Sequence, residues 1–311
     1  MKNSKKSSPD HIDFHISYQC NNKCIFCSSA EAIREFKNHP LKLKNIVAIL
    51  KKRKKDFKGI NFTGGEPTLY PYFKELVKTA KNFGYKIYIG SNGGRFSDKN
   101  FCRETAPFIN EICFSVHGHN SRLHNFHTKN SRSFENLDKA FDNVSDYKIA
   151  LFSNSVITRY NFPHLKKIFM FLASKKIKQA LFSNIAPEGD GLKNYKKLTV
   201  KLADIKKTVP QLVELADQKN IVLRFFGIPL CILGKYATYS NDFFWDARMN
   251  IEQVGPENKH FIKEEKAYLP ERKRIKTEKC HKCFYKKICG GVFEEYYKNF
   301  GDQELKPIEN G

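Results

Sequence analysis

Apolar positions along this chain recur in two alternating rhythms. Short runs rich in β-branched and aromatic residues have strand character at His11–Ser17, Gly59–Phe62, Tyr85–Gly90, Glu111–Val116, Ile149–Ile157, Gln179–Asn184 and Ile221–Phe226. Each except the last precedes a stretch whose apolar residues return every three or four positions. These predicted helices cover Leu41–Lys55, Pro71–Phe83, Asp98–Thr105, Ser133–Val144, Asn161–Ala173 and Val200–Lys219. In the last of them Leu202, Ile205, Val209, Leu212 and Leu215 mark one face. Strands and helices alternating every 25–35 residues or so, roughly, predict βα units on a parallel sheet. Six units are too few for a closed eight-unit barrel, so the α/β pattern predicts an open, partial (β/α)6 TIM-like barrel. After Phe226 the rhythm stops, and Pro229, Pro256 and Pro270 punctuate an irregular segment. That segment is expected to build little core alone and to be held by metal. The expected division is 1–226 for the barrel and 227–311 for a small cysteine-rich metal-binding domain.

The chain has 311 residues, 41% of them hydrophobic, which is enough for a core of ordinary size. Its longest apolar stretches, such as Phe225–Leu233, fall short of the ~18–20 residues that cross a bilayer. The charged N-terminus has no apolar segment behind it, so no secretory signal is read, and a cytoplasmic location without membrane contact is expected. The net charge of +23 admits nucleic acid as a partner. Yet Lys far outnumbers Arg, alongside abundant Asn, Ile and Phe, which an AT-biased coding sequence produces with no partner at all.

Nine cysteines without an export signal are expected to be free thiols for metal or catalysis. Cys20, Cys24 and Cys27 follow a C-x3-C-x2-C spacing directly after the first predicted strand. A loop at the carboxyl end of a parallel strand is where such folds place chemistry. Three thiolates there can wrap an iron–sulfur cluster, and the missing fourth leaves one iron open to another molecule. Zinc would want a fourth ligand nearby, and His15 on the preceding strand has the wrong geometry for it. Thr63-Gly64-Gly65-Glu66-Pro67 closes the second strand. Its glycines admit close approach of a ligand, and Glu66 is an acceptor for an ammonium group.

With these two motifs, residues 11–226 resemble the radical S-adenosylmethionine (SAM) superfamily. The resemblance implies that Cys20, Cys24 and Cys27 bind a 4Fe-4S cluster whose open iron is chelated by the amine and carboxylate of SAM. It further implies one-electron cleavage to a 5′-deoxyadenosyl radical that abstracts hydrogen from substrate, the electron coming from a reductant such as flavodoxin or ferredoxin. Gly64, Gly65, Glu66 and Pro67 would contact SAM, and Phe26 matches the aromatic position near adenine. Ser91, Asn92, Ser115, Asn154 and Asn184 match, by position, the family's polar strand-end contacts. His117 and His119 could face substrate or be solvated loop residues. No residue is assigned as catalytic.

Cys280-x2-Cys283-x5-Cys289-Gly290-Gly291 also has metal-ligand spacing, with Cys231 as the fourth thiolate. The resemblance here is to the shortened SPASM domain, or twitch domain, of radical SAM enzymes that carry one auxiliary 4Fe-4S cluster; structural zinc is the competing reading. Cys102 and Cys113 read as small buried hydrophobes. SPASM and twitch relatives commonly modify residues of ribosomally made peptides, and others dehydrogenate small molecules such as sugars or aminocyclitols. RNA modification is a third class, kept open by the basic stretch Arg272–Lys287. Lys51–Lys55 precedes the second strand and so belongs to the opposite end of the barrel. Only ten residues precede the first strand, so any leader-peptide-binding domain is expected on a separate partner. An iron–sulfur electron carrier would have no use for three-cysteine ligation beside GGEP.

Overall fold

The computed structural model describes residues 10–255, 260–267 and 273–309. Residues 1–9, Pro256, Pro270 and Arg272, which entered the sequence reading, lie outside the described residues. Seven strands run parallel and in chain order: β1 (His11–Ser17), β2 (Gly59–Gly64), β3 (Lys86–Ser91), β4 (Glu111–Ser115), β5 (Ala150–Val156), β6 (Gln179–Ser183) and β7 (Val222–Phe226). The helices between them begin with α1 (Ala30–Phe36), α2 (Leu43–Arg53), α3 (Phe73–Asn82), α4 (Lys99–Thr105), α5 (Ser121–Thr128) and α6 (Ser133–Val144). They continue with α7 (Leu165–Ser174), the short α8 (Gly189–Lys193) and α9 (Tyr195–Leu198), and the long α10 (Leu202–Lys219). This is the partial TIM-like arrangement that the alternating pattern predicts.

Every parallel strand has two unlike faces, because successive side chains point to opposite sides. Ile12, Phe14, Ile60, Phe62, Ile87, Ile89, Ile112 and Phe114 are buried. Phe114 shows what covers that face: its ring packs 4.7 Å from Phe141 of α6 and 6.0 Å from Phe96, ahead of α4. The alternate positions Asp13, His15, Asn61, Thr63, Cys113, Ser115 and Asn154 are only half-buried. They line the concave face, which is polar and open, so the interior of the partial barrel is a cleft rather than a packed core.

The segment after Phe226 departs from the sequence reading. A short α11 (Leu230–Leu233) leads to β8 (Arg248–Val254), which pairs in parallel with β1, and β9 (Phe261–Ala267) pairs antiparallel with β8. The sheet therefore has nine strands in the order β7-β6-β5-β4-β3-β2-β1-β8-β9. No strand was expected here, because β9 (FIKEEKA) is a charged, exposed edge strand and gives no apolar alternation. Arg53 of α2 pairs with Glu264 of β9 and ties that edge to the helical layer. Beyond it, β10 (Arg274–Ile275) and β11 (Val292–Phe293) form a small antiparallel pair that precedes α12 (Glu294–Phe300). Among the described residues no helix is long and apolar enough to cross a membrane.

Candidate active site

β1 ends in an irregularity: its pairing with β2 slips between His15 and Ser17. Such a bulge bends a strand, and the loop that carries Cys20, Cys24 and Cys27 leaves the sheet there. The loop is fixed by its backbone. Lys23 N–H donates to the Thr128 carbonyl at 2.8 Å and Ile25 N–H to that of His127 at 3.0 Å, both at the end of α5. Asn194 Nδ2 donates to the Ile25 carbonyl at 2.9 Å, and Asp190 N–H to that of Cys27 at 2.9 Å. Gly189, with φ +53°, permits that last approach, since a Cβ there would lie 2.5 Å from the Cys27 oxygen. Burial, with Cys27 and Glu66 nearby, pushes the Cys20 thiol up to about 12. Cys24 is raised further by burial and by its two neighbouring thiols, and Cys27 is raised by burial. Metal binding at these thiols must therefore release protons.

The Gly-Gly-Glu-Pro segment lies against the start of the same loop. Gly65 N–H donates to the Ser17 carbonyl at 2.9 Å and Glu66 N–H to that of Gln19 at 2.7 Å. A Cβ on Gly64 would lie 2.2 Å from the Ser17 oxygen, and one on Gly65 would lie 2.5 Å from that of Gln19. Both glycines are thus required by close backbone approach. Glu66 differs from its expected role as an open acceptor for an ammonium group. It is 1% exposed, and its carboxylate accepts from Thr68 N–H (3.2 Å), Thr68 Oγ1 (2.6 Å), Ser91 Oγ (2.8 Å) and Asn92 N–H (2.6 Å). Burial raises its pKa against the pull of those donors. Glu66 joins the ends of β2 and β3, and Pro67 begins the 3-10 turn that follows it.

Asn92 connects this junction back to the loop, with Nδ2 2.7 Å from Asn21 Oδ1 and 3.9 Å from Cys20 Sγ. Asn92 therefore sits beside Cys20, Ser91 is held at the same junction through Glu66, and Phe26 lies within the cysteine loop itself. Ser115 and Asn154 are register partners on β4 and β5, and Ser183 Oγ donates to Asn154. They form a polar row on the concave face. Asn184 does not join them. It is buried, and its side chain bonds the Gly227 carbonyl at 3.3 Å and Ile185 N–H at 2.9 Å, closing the β6–β7 corner.

Sequence reasoning missed what lies behind Phe26. The polar run HGHNSRLHNFHT gives no apolar period, yet it folds as α5, capped by Asn120 Oδ1 accepting from Leu123 N–H at 3.0 Å. His117, His124 and His127 are all buried, so His117 is neither a substrate-facing nor a solvated residue. The Phe26 ring lies 4.7 Å from that of His117 and 5.9 Å from that of His127. His124 Nδ1 accepts from His117 N–H at 3.1 Å while its Nε2 meets Ser133 Oγ at 3.1 Å; His127 Nε2 meets Thr158 Oγ1 at 2.7 Å. Ser133 Oγ also accepts from Asn22 Nδ2 at 3.3 Å, inside the cysteine loop. His119 stands apart, partly exposed beside His164.

The second cysteine group assembles from two places in the chain. Cys231 lies on α11, and Cys280, Cys283 and Cys289 lie on the loop between β10 and β11. All four thiols line one pocket, which Lys276, Lys279 and Lys286 also border. Burial and the other three thiols push Cys231 up to about 11. Cys289 Sγ accepts from Gly291 N–H at 3.3 Å and Leu230 N–H at 3.5 Å. Among the described residues no three His, Cys, Asp or Glu side chains form a site for a single metal ion. Cys102 is buried, as expected, and donates to the Phe96 carbonyl at 3.0 Å. Cys113 instead stands half-buried on the concave face.

Residues 14–172 match the family model of the radical SAM superfamily. The chain belongs to that superfamily. Radical SAM enzymes use a 4Fe-4S cluster and SAM, and the three-cysteine loop with its glycine-lined flank has the donor set for both. Among curated relatives, the chain is 27% identical over 199 residues to an S-adenosylmethionine-dependent nucleotide dehydratase of Lacinutrix mariniflava, covering 60% of this chain and 40% of that protein. It is 27% identical over 212 residues to the mycofactocin maturase MftC of Mycobacterium tuberculosis, covering 68% and 51%. The chain thus spans about half the length of the curated relatives it matches. Among solved structures, Streptococcus suis SuiB bound to the precursor peptide SuiA aligns with a TM-score of 0.67 at 19% identity, over 94% of this chain and 73% of that one. That likeness establishes the fold, including the region after β7.

Proposed function

We propose that this radical SAM enzyme abstracts hydrogen from a side chain of a peptide or protein substrate, as the first step of an oxidative modification. With iron and SAM bound, the first site supplies the 5′-deoxyadenosyl radical. Cys20, Cys24 and Cys27 are the proposed cluster ligands. The backbone of Gly64 and Gly65 fixes the neighbouring wall, and Glu66 holds Ser91 and Asn92 in place around it. Phe26, backed by the histidines, offers an apolar face for adenine. Ser115 and Asn154 present hydroxyl and amide groups to whatever enters the cleft.

Cys231, Cys280, Cys283 and Cys289 are the proposed ligands of an auxiliary 4Fe-4S cluster, which would accept the electron left on the substrate radical. The observation that carries the oxidative reading is the pocket in which these four thiols meet beside three lysines. A thiolate cluster is anionic, and lysines around it offset that charge. Residues 1–226 then serve as the catalytic core and the chain from 227 onward brings the second site to it. The peptide reading is supported by the maturase among the curated relatives and by the precursor peptide on SuiB. A second reading, a nucleotide or another small molecule as substrate, is favoured by the dehydratases among the curated relatives. A flavodoxin or ferredoxin as reductant and a separate leader-binding partner belong to the first reading.

Reconstituted protein given dithionite and SAM is expected to form 5′-deoxyadenosine, and the Cys20, Cys24 and Cys27 triple Ala variant to form none. Normal formation by the variant would end the radical SAM assignment of that loop. If a deuterated nucleotide, and no deuterated peptide, transfers deuterium to 5′-deoxyadenosine, the second reading replaces the first.

A further inference from the structure

Arg274 and Asp242 form an ion pair whose side chains are both fully buried. The pair is bidentate, with Nη1 3.0 Å from Oδ2 and Nη2 2.8 Å from Oδ1. Burying two charges costs several kcal/mol of hydration and is offset only when their other hydrogen bonds are made. Here one of those bonds goes to the second cysteine loop: Asp242 Oδ2 also accepts from Gly290 N–H at 2.9 Å, one residue past Cys289. Gly290 has no room for a side chain, because a Cβ would lie 1.9 Å from Arg274 Nη2. The guanidinium is thus seated directly against the backbone of the loop.

The same guanidinium reaches the barrel. Its carbon lies 5.4 Å from the ring centre of Phe226, the last residue of β7. Beside it, Gly227 (φ +71°) lets the Phe293 ring of β11 come so close that a Cβ would lie 2.6 Å away. Phe226 in turn stacks on Trp245, with ring centres 6.4 Å apart, and Arg248 covers Trp245 at 4.0 Å before bonding Asp13 of β1 at 2.9 Å. A continuous set of contacts therefore runs from Cys289 through Gly290, Asp242 and Arg274 to the carboxyl rim of β7.

From this we infer that Arg274 and Asp242 are positioning residues for the second metal site, holding Cys289 in ligating position and the site against the barrel mouth. This rests on the reading that the four C-terminal cysteines hold metal. The fixed element is the Gly290 N–H, which the carboxylate of Asp242 receives.

The test uses the full chain carrying the Cys20, Cys24 and Cys27 triple Ala change, so that any retained cluster belongs to the second site. After anaerobic reconstitution with ferrous iron and sulfide, iron, sulfide and zinc per chain, the reduced EPR spectrum and the melting temperature are measured. Asp242→Leu, which removes the acceptor of the Gly290 N–H, is expected to lose second-site metal. The double variant Arg274→Met with Asp242→Leu removes both charges and leaves none orphaned. With both proteins metal-free it is expected to melt near the triple Ala parent, and after reconstitution to remain without second-site metal, because the Gly290 N–H has lost its acceptor. Retention of metal by Asp242→Leu would overturn the inference. So would recovery of metal together with stability in the double variant, which would make the pair a packing element only. If the triple Ala parent itself holds neither iron nor zinc, the second-site reading fails and the positioning role fails with it.

Discussion

At Glu66 two opposing effects meet: burial disfavours the charged carboxylate, and four donors favour it. A sequence offers the motif but not the burial, so the residue reads as a ligand contact when its side chain is in fact an internal brace between β2 and β3. His124 is the converse. In the sequence it is one of several histidines in a polar run, whereas in the fold burial drives its pKa down to about 3 from an ordinary 6.5, with His127 adding to the effect. The neutral imidazole is matched to its partners, accepting from His117 N–H on one nitrogen. Because the folded pKa is depressed, the stability held by neutral His124 is fully present above about pH 6.5 and is lost as pH falls toward 3. Acid should therefore lower the unfolding free energy read from urea titrations between pH 6.5 and 4, by at most about 1.4 kcal/mol per pH unit for each histidine. His124→Gln, which has no proton to gain, should flatten that slope. A slope unchanged by the substitution would remove His124 as its source.

Among the elements, β1 to β7 and the helices α2, α3, α4, α6, α7 and α10 follow the predicted ranges within a few residues. Their periods are strong because one face of each is buried in the same core. Of the elements that escaped, three show the physical reasons. The helix α5 has only Leu123 and Phe126 as apolar residues, and its signal is the Asn120 cap rather than an apolar stripe. The strand β8 alternates correctly through Met249 and Ile251, but its other face is charged and half-exposed. The edge strand β9 is exposed almost everywhere and carries no pattern to read.

The cysteine loop was legible by spacing, and its placement depends on an irregularity in β1 that no spacing reveals. Gly65 is where this can be tested. A methyl group there would meet backbone oxygens of Tyr18 and Gln19 at 2.7 and 2.5 Å, and backbone yields less easily than a side-chain tip. Gly65→Ala should cost about 1–3 kcal/mol and displace the loop, so that iron at the first site falls while the C-terminal site keeps its metal. Equal iron at both sites in the variant would show that the close approach has no bearing on the loop.

Across the whole molecule, the order of the sheet brings chemistry to one rim. The first cysteine loop leaves the carboxyl end of β1, Gly64–Pro67 leaves that of β2, and Ser91–Asn92 that of β3. The second cysteine group meets the same rim at β7 through Arg274 and Phe293. That convergence was only partly visible in the sequence. The cysteine spacings and the βα rhythm are local signals, whereas the addition of β8 and β9 beside β1 depends on pairing across more than two hundred residues. The net charge of +23 acts at this scale too, and the lysines around the C-terminal pocket give part of it a specific place.

The central claim is that two separate cysteine groups hold two iron–sulfur clusters, one open for SAM and one closed. Iron, sulfide and zinc content with Mössbauer spectra, on anaerobically reconstituted parent and on the Cys20, Cys24 and Cys27 triple Ala variant, addresses it directly. The account predicts about eight irons in the parent and about four in the variant, each matched by sulfide. A parent with about four irons and one zinc would contradict it, leaving the C-terminal site structural and the oxidative reading without its electron acceptor.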